Sequence, residues 1–143
     1  ATLALVFGCL VAGWAVDRIG VGRALLSGSL GLGVAAYALY GALLAGHEAQ
    51  FVAWYTLAGF CCGVVGVTPA LMVAAFPPEL RFSGLSFSYN VAYAVFGALT
   101  PPLLAWLAEA WGPLAPAHYV AFTCVVGAGV ALWCLRRPLS TPL

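Results

Sequence analysis

The sequence predicts an all-α membrane protein with five transmembrane helices, and three observations point to that class. Hydrophobic residues make up 64% of the 143 residues and charged residues only 6%, whereas a soluble domain carries about 25% charged residues. Five apolar runs are separated by short polar breaks. The arginines lie only at alternate breaks, as expected when successive loops face opposite sides of a bilayer. A soluble globule is therefore excluded, and the net charge of +1 gives no reason to expect nucleic acid as a partner.

The apolar runs form a single transmembrane helical domain, with spans predicted at about 1–16, 24–46, 51–76, 84–109 and 118–135 and a C-terminal tail at 136–143. The first run is about 24 Å long at 1.5 Å per residue, which is short of the roughly 30 Å hydrocarbon core. It also begins at Ala1 without the charged segment that opens a signal peptide. We therefore expect an incomplete fragment whose upstream part is missing.

The arginines predict how the chain is oriented in the membrane. If the 17–23 loop is cytoplasmic, the 77–83 loop and the C-terminal tail are cytoplasmic as well, and all five arginines lie on that side. The intervening turns at 47–50 and 110–117 contain no arginine or lysine. This arrangement follows the positive-inside rule and predicts a multi-pass protein of the cell (inner) membrane.

Two prolines interrupt the fourth apolar run. Pro101 and Pro102 lack the backbone N–H that a helix interior requires, and their rings clash with the preceding turn. We expect them to kink the fourth helix or to split it.

The cysteines and the polar residues at membrane depth offer no catalytic or metal-binding pattern. Cys61 and Cys62 are adjacent, and no pair among the five cysteines has the neighbours of a metal site. We expect buried, small apolar side chains rather than disulfides or zinc ligands. No His-Glu zinc pattern, aspartyl pair or Ser-His arrangement occurs within a span, so we expect neither an enzyme nor a bound metal or other cofactor.

The first charged break has a distinctive order of residues: Gly13, Asp17, Arg18, Gly20 and Arg23. It resembles a loop signature of the major facilitator superfamily, in which a glycine, an Asp-Arg pair, a second glycine and a basic cluster follow one another. The two residues before Arg23 depart from that pattern, since basic residues are usual there. By this resemblance the loop is a conformational latch. The alternative is an ordinary polar loop whose Asp and Arg merely end a helix.

A second stretch, from Phe76 to Leu107, sharpens the resemblance. It is similar to the junction of the tenth and eleventh helices in the metabolite–proton symporters of the same superfamily, which carry proline and betaine, shikimate, citrate or 2-oxoglutarate. The acidic residue usual before the Phe-Pro pair is absent. Arg81 and Gly84 form the core of this helix-junction motif. The residues that match in order are Phe76, Pro77, Arg81, Phe82, Ser83, Gly84, Tyr89, Asn90, Phe96, Gly97, Thr100 and Pro101.

The resemblance implies that the five spans are the eighth to twelfth helices of a twelve-helix transporter, in a major-facilitator-type C-terminal bundle. In that fold two six-helix bundles rock around a central site. We therefore expect the C-terminal part of a secondary transporter, a proton-coupled symporter of an organic acid or zwitterion that works by alternating access. Its partners would be the lipid bilayer, the missing N-terminal half, the small polar metabolite and protons. The alternative is a stand-alone structural or accessory membrane protein without transport activity.

Polar and small residues recur along one face of the fourth span. The steps of four, three, four and three place them on one side of a helix. Because a polar stripe is unfavourable in lipid, we expect it to line the substrate cavity, and the alternative is hydrogen bonding to another helix. No ionisable residue lies in the middle of any span, so a proton-carrying acid would lie outside this segment. The stripe consists of Ser86, Asn90, Tyr93, Gly97 and Thr100.

Overall fold

The computed structural model describes residues 1–136, apart from the side chains of residues 74 and 75. The described chain is helical: α1 (Thr2–Ile19), α2 (Val21–Leu44), α3 (Glu48–Cys61), a 3₁₀ segment (Cys62–Gly66), α4 (Val67–Ala75), α5 (Arg81–Trp111) and α6 (Ala115–Arg136). Five stretches are long and apolar enough to cross a membrane, because α3, the 3₁₀ segment and α4 follow one another as one span. The prediction of an all-α protein with five transmembrane helices is confirmed. The predicted tail lies outside the described residues from residue 137 onward.

The helices extend further into the polar breaks than the apolar runs suggested. α2 begins at Val21 rather than near residue 24, and α5 covers Arg81–Trp111 rather than 84–109. The predicted loop at 17–23 is a single residue, Gly20, which adopts a φ of 84°. A glycine reaches this conformation without a steric cost. Charged side chains at a helix end can reach water while their backbone stays helical. Hydropathy alone therefore leaves these end residues out of the predicted helix.

The prolines of α5 do not split the helix. Pro101 and Pro102 lie inside a continuous helix of 31 residues, so of the two predicted outcomes, a kink or a split, the split is wrong. The φ that proline imposes is helical, and membrane helices tolerate the missing N–H when neighbouring groups satisfy the freed backbone.

α2 is the centre of the packing. It contacts α1, α3, the 3₁₀ segment, α4 and α6, with its most extensive contact against α6. Its buried residues are all small: Gly22, Ala24, Ser29, Ala35, Ala36 and Ala42. Since lipid is as apolar as leucine, membrane helices associate through close packing of small residues. The small residues of α2 allow its neighbours to approach on several sides.

α1 crosses the third span with the two backbones in contact. A Cβ at Gly8 would overlap the carbonyl of Phe60, and one at Gly63 would overlap the backbone of Gly8. The crossing lies beside the 3₁₀ segment, where the tighter winding departs from the α-helical pattern. Glycine is therefore required on both sides of this contact.

α5 differs from the other helices because it lies at the edge of the bundle. Along its 31 residues it buries none, and within the described chain it contacts only α4 and α6. The longest described helix thus leaves most of its surface free of contact with the other described helices.

Candidate substrate-facing helix and latch

The predicted stripe lies on the exposed surface of α5. Ser86, Asn90 and Gly97 are exposed, and the Tyr93 side chain is 59% exposed. A Cβ at Gly97 would meet no atom within 4 Å. The structure therefore leaves this face open to whatever covers it.

Exposure alone does not distinguish the stripe from the opposite face of α5. Val91 and Val95 are 44% and 46% exposed, which is close to the value for Tyr93. What distinguishes the two faces is chemistry, since the stripe carries hydroxyl and amide groups and the opposite face carries aliphatic ones.

Asn90 is held by its own helix. Its Nδ2 donates to the Ser86 carbonyl oxygen at 2.8 Å and to the Ser86 hydroxyl at 3.4 Å. Its Oδ1 makes no hydrogen bond to any described residue. The side chain therefore presents an acceptor to the open face, whereas its best donor is already used.

A pair of tyrosines lies beside Asn90. The rings of Tyr89 and Tyr93 have centroids 4.6 Å apart and planes at 31°, and the Tyr89 hydroxyl donates to the Tyr93 hydroxyl at 3.1 Å. Sequence reasoning placed Tyr93 in the stripe and used Tyr89 only as a motif residue. The spacing of four residues was the available signal, because side chains four apart on a helix are neighbours.

Thr100, the last residue of the stripe, is bound to another helix. Its hydroxyl and that of Tyr119 on α6 are 3.0 Å apart and share a hydrogen bond. This contact is the interhelical alternative that the sequence left open for the stripe. It holds α5 against α6 near the proline pair.

The residue before Tyr119 ties α6 to α2. His118 Nδ1 and the Tyr37 hydroxyl are 2.8 Å apart, and the two rings have centroids 5.6 Å apart. Adjacent residues at the start of α6 therefore bond to two different helices. No local pattern in the sequence predicts this pairing, because the partners are 81 positions apart.

The predicted latch residues occupy the end of α1, the Gly20 break and the first turn of α2. Gly13 is exposed, and a Cβ there would meet no atom within 4 Å. Asp17 is exposed and forms no ion pair or hydrogen bond with any described residue. The Arg18 guanidinium carbon lies 5.5 Å from the centroid of the Trp14 ring. Arg23 is also exposed.

The helix-junction motif shapes the turn between α4 and α5. A Cβ at Gly84 would lie 2.7 Å from the Phe76 ring. The ring can therefore occupy this position because residue 84 has no side chain. The Leu80 amide donates to the Pro77 carbonyl at 3.1 Å and closes the turn. Arg81 begins α5, and its Nε is buried without a hydrogen-bond partner among the described residues.

The cysteines are free thiols at different depths. Cys134 is buried, Cys62 is exposed, and Cys9, Cys61 and Cys124 are intermediate. The expectation that all five are buried is therefore met in full by Cys134 alone; it is wrong for Cys62, and the other three are half-buried. Within residues 1–136, no group of three His, Cys, Asp or Glu side chains is arranged to hold a metal ion.

Comparison with known proteins identifies relatives over most of the chain. The chain is 31% identical over 127 residues to the "Putative proline/betaine transporter" of Staphylococcus aureus (strain COL), an alignment that covers 87% of this chain and 26% of the relative. The Ectoine/proline transporter ProP of Corynebacterium glutamicum is 35% identical over 80 residues, which cover 55% of this chain and 16% of the relative. The Proline/betaine transporter of Escherichia coli (strain K12) is 41% identical over 63 residues, which cover 43% of this chain and 12% of the relative.

These alignments also give the share of the relatives' length that the chain spans. It spans about a quarter of the length of the S. aureus relative. No solved structure gives a significant match. The predicted superfamily is confirmed, and the names of these relatives support the predicted branch. The model of the Major Facilitator Superfamily matches residues 1–142, so this multi-pass membrane protein belongs to that family.

Proposed function

We propose that the chain forms the C-terminal part of a proton-coupled symporter for a small zwitterionic or acidic solute. The observation that carries this proposal is the polar stripe on the bare helix α5. A hydroxyl- and amide-bearing face that no described helix covers, except at Thr100, suits a water-filled cavity and is unfavourable in lipid. The relatives named as proline/betaine transporters support a solute such as proline or betaine.

The stripe requires a second half to enclose the solute. The aligned relative is about four times as long as the matching segment, since the alignment covers 26% of it. We propose that an N-terminal half covers α5 and completes the cavity, and that the two halves alternate access by rocking about it. Ser86, Asn90, Tyr93 and Gly97 then line the solute path, while Thr100 anchors α5 to α6.

The coupling acid of this symporter belongs to the part outside the chain. α5 carries no ionisable Asp, Glu, Lys, Arg or His between residues 82 and 108. The chain supplies polar contacts for the solute, and a proton-carrying carboxylate of the other half supplies the coupling.

The open end of α1 acts as the conformational latch in this proposal. Asp17 is exposed and has no partner among the described residues, so its carboxylate is available to a helix end of the other half. A carboxylate near a helix N-terminus contributes about 0.3–1 kcal/mol. Gly20 keeps the turn short, and the positions of the arginines support a cytoplasmic location for this turn and for the 77–83 loop.

Uptake into liposomes tests the proposed function. The complete transporter that contains this chain should accumulate labelled proline or glycine betaine when an inward proton gradient is imposed, and a protonophore should abolish the accumulation. The chain by itself, reconstituted at equal density, is the matched control and should not transport because half of the cavity is absent. Robust uptake by the chain alone would reject the two-half cavity, and accumulation that ignores the proton gradient would reject symport.

A further inference from the structure

We infer that Tyr89 and Tyr93 form an aromatic subsite for the cationic end of the solute, and that Asn90 beside them distinguishes an ammonium carrying N–H from a quaternary one. This inference rests on the proposed function, because it assigns the contacts within the same cavity. It adds which side-chain groups contact each end of a zwitterion.

The geometry of the tyrosine pair leaves one ring face open. With centroids 4.6 Å apart, each ring covers one face of the other. Tyr93 is 59% exposed and Tyr89 is less exposed than Tyr93, so the more open face is that of Tyr93. A cation over an aromatic face is attracted by the ring quadrupole, and quaternary ammonium groups are bound in this way.

The hydrogen bond between the two hydroxyls prepares Tyr93 for the other end of a zwitterion. Tyr89 donates and the Tyr93 oxygen accepts, so the Tyr93 proton remains free. Hydrogen bonds in a chain polarise one another, which makes the Tyr93 hydroxyl a better donor to a carboxylate. One side chain therefore offers a π face to a cation and a donor to an anion.

Asn90 adds selectivity by nitrogen type. It lies three positions before Tyr93, on the same side of α5. Because its Nδ2 donates to Ser86, the group that it presents is the acceptor Oδ1. A secondary ammonium such as that of proline can donate to this oxygen, whereas the quaternary nitrogen of glycine betaine has no proton to donate.

The absence of charge along the middle of α5 fits a solute with no net charge. Between residues 82 and 108 the helix has no acidic or basic side chain to pair with either end of the solute. A carboxylate at this depth would be costly, and aromatic faces attract a cation without that cost. Among the side chains of this face of α5, the tyrosine rings are the groups suited to a cation.

Competition assays on the complete transporter test the aromatic subsite. Glycine betaine is compared with its tert-butyl analogue, in which carbon replaces the cationic nitrogen and the carboxylate is kept, as inhibitors of labelled proline uptake. Tyr93→Leu should weaken inhibition by glycine betaine about tenfold, because a desolvated cation–π contact is lost. Inhibition by the tert-butyl analogue, which has no cationic end, should change little. Phe87→Leu is the matched control, since Phe87 is 73% exposed on another face of α5 and should leave both inhibitors unaffected.

Two conservative variants keep the test independent of folding. Tyr93→Trp retains a ring face and should preserve or increase the preference for glycine betaine over its tert-butyl analogue, since indole is the best cation–π partner. Tyr93→Phe should keep that preference while weakening binding of both carboxylates by loss of the hydroxyl. If Tyr93→Leu keeps the wild-type preference, or if Tyr93→Trp and Tyr93→Phe lose it as Tyr93→Leu does, the aromatic subsite is rejected.

Asn90→Leu tests the selectivity. The KM for proline should rise several-fold while the KM for glycine betaine stays the same, because only proline can donate to Oδ1. Equal changes for both solutes would overturn the assignment of Asn90. If the wild-type transporter carries neither solute, the proposed function fails and the inference with it. If it carries both but Tyr93 and Asn90 variants behave as wild type, only the inference fails.

Discussion

The helices α2 and α5 belong to the same bundle but differ in how they pack. α2 contacts every other described helix except α5 and buries six residues, all of them glycine, alanine or serine. α5 is longer, buries none and exposes aromatic residues such as Phe82 and Phe87 at 87% and 73%. The difference shows that large side chains on a membrane helix are no sign of a packed core. Small residues mark the face along which helices meet.

The comparison has a physical basis in the solvent. In water, burial of large apolar groups drives association, but in a bilayer these groups gain nothing by leaving lipid. What remains is close contact between backbones, which a side chain prevents. α2 satisfies this requirement on several sides, whereas α5 is anchored to α6 by the hydrogen bond between the hydroxyls of Thr100 and Tyr119.

A matched pair of substitutions should give the largest effect. Gly28 of α2 lies against the Val64 side chain, which a Cβ at Gly28 would overlap, whereas Gly97 of α5 has open space around it. Gly28→Leu should destabilise the folded bundle by about 1–3 kcal/mol through overpacking. Gly97→Leu should leave stability unchanged or slightly higher, since glycine is unfavourable inside a helix.

Thermal unfolding in detergent, followed on the complete transporter, measures the difference. The two variants should separate clearly, with the lower midpoint for Gly28→Leu. Gly97→Leu should nevertheless reduce solute uptake, because its side chain would enter the proposed cavity. Equal loss of stability in both variants would mean that α5 is as tightly covered as α2 in the assembled protein.

The sequence predicted the membrane helices and the break at Gly20 because hydropathy and glycine conformation are local properties. It placed Ser86, Asn90, Tyr93 and Gly97 on one face of a helix for the same reason. It did not predict the Tyr37–His118 contact, because that depends on how α6 settles against the small residues of α2. It also missed that Asn90 uses its donor within α5, since serine four residues earlier offers two acceptors that only the side-chain geometry brings within reach.

Labelling of introduced cysteines tests which of the two faces of α5 is accessible to water. In a complete transporter without native cysteines, Asn90→Cys and Tyr93→Cys should react about tenfold faster with a small polar thiol reagent than Val91→Cys and Val95→Cys, because thiolates form readily only in water. Substrate should protect the first pair. Pro78→Cys serves as the control for orientation and should react from the cytoplasmic side alone. Equal reactivity on both faces, without protection, would assign the stripe to helix packing.

The smallest effect is expected at Asp17. Its exposed group is a carboxylate, whereas the exposed groups of α5 discussed above are largely aromatic. Its carboxylate forms no hydrogen bond or ion pair with any described residue, although Arg18 beside it lies over the Trp14 ring. If Asp17 latches a helix end of the other half, Asp17→Asn removes a charge interaction of about 0.3–1 kcal/mol. The inward–outward equilibrium should then shift by about two- to fivefold, with a comparable fall in the transport rate and no loss of membrane insertion. Asp17→Glu keeps the charge and should restore part of the rate. Uptake by Asp17→Asn at the wild-type rate, at equal expression, would show that this carboxylate merely ends α1 in water.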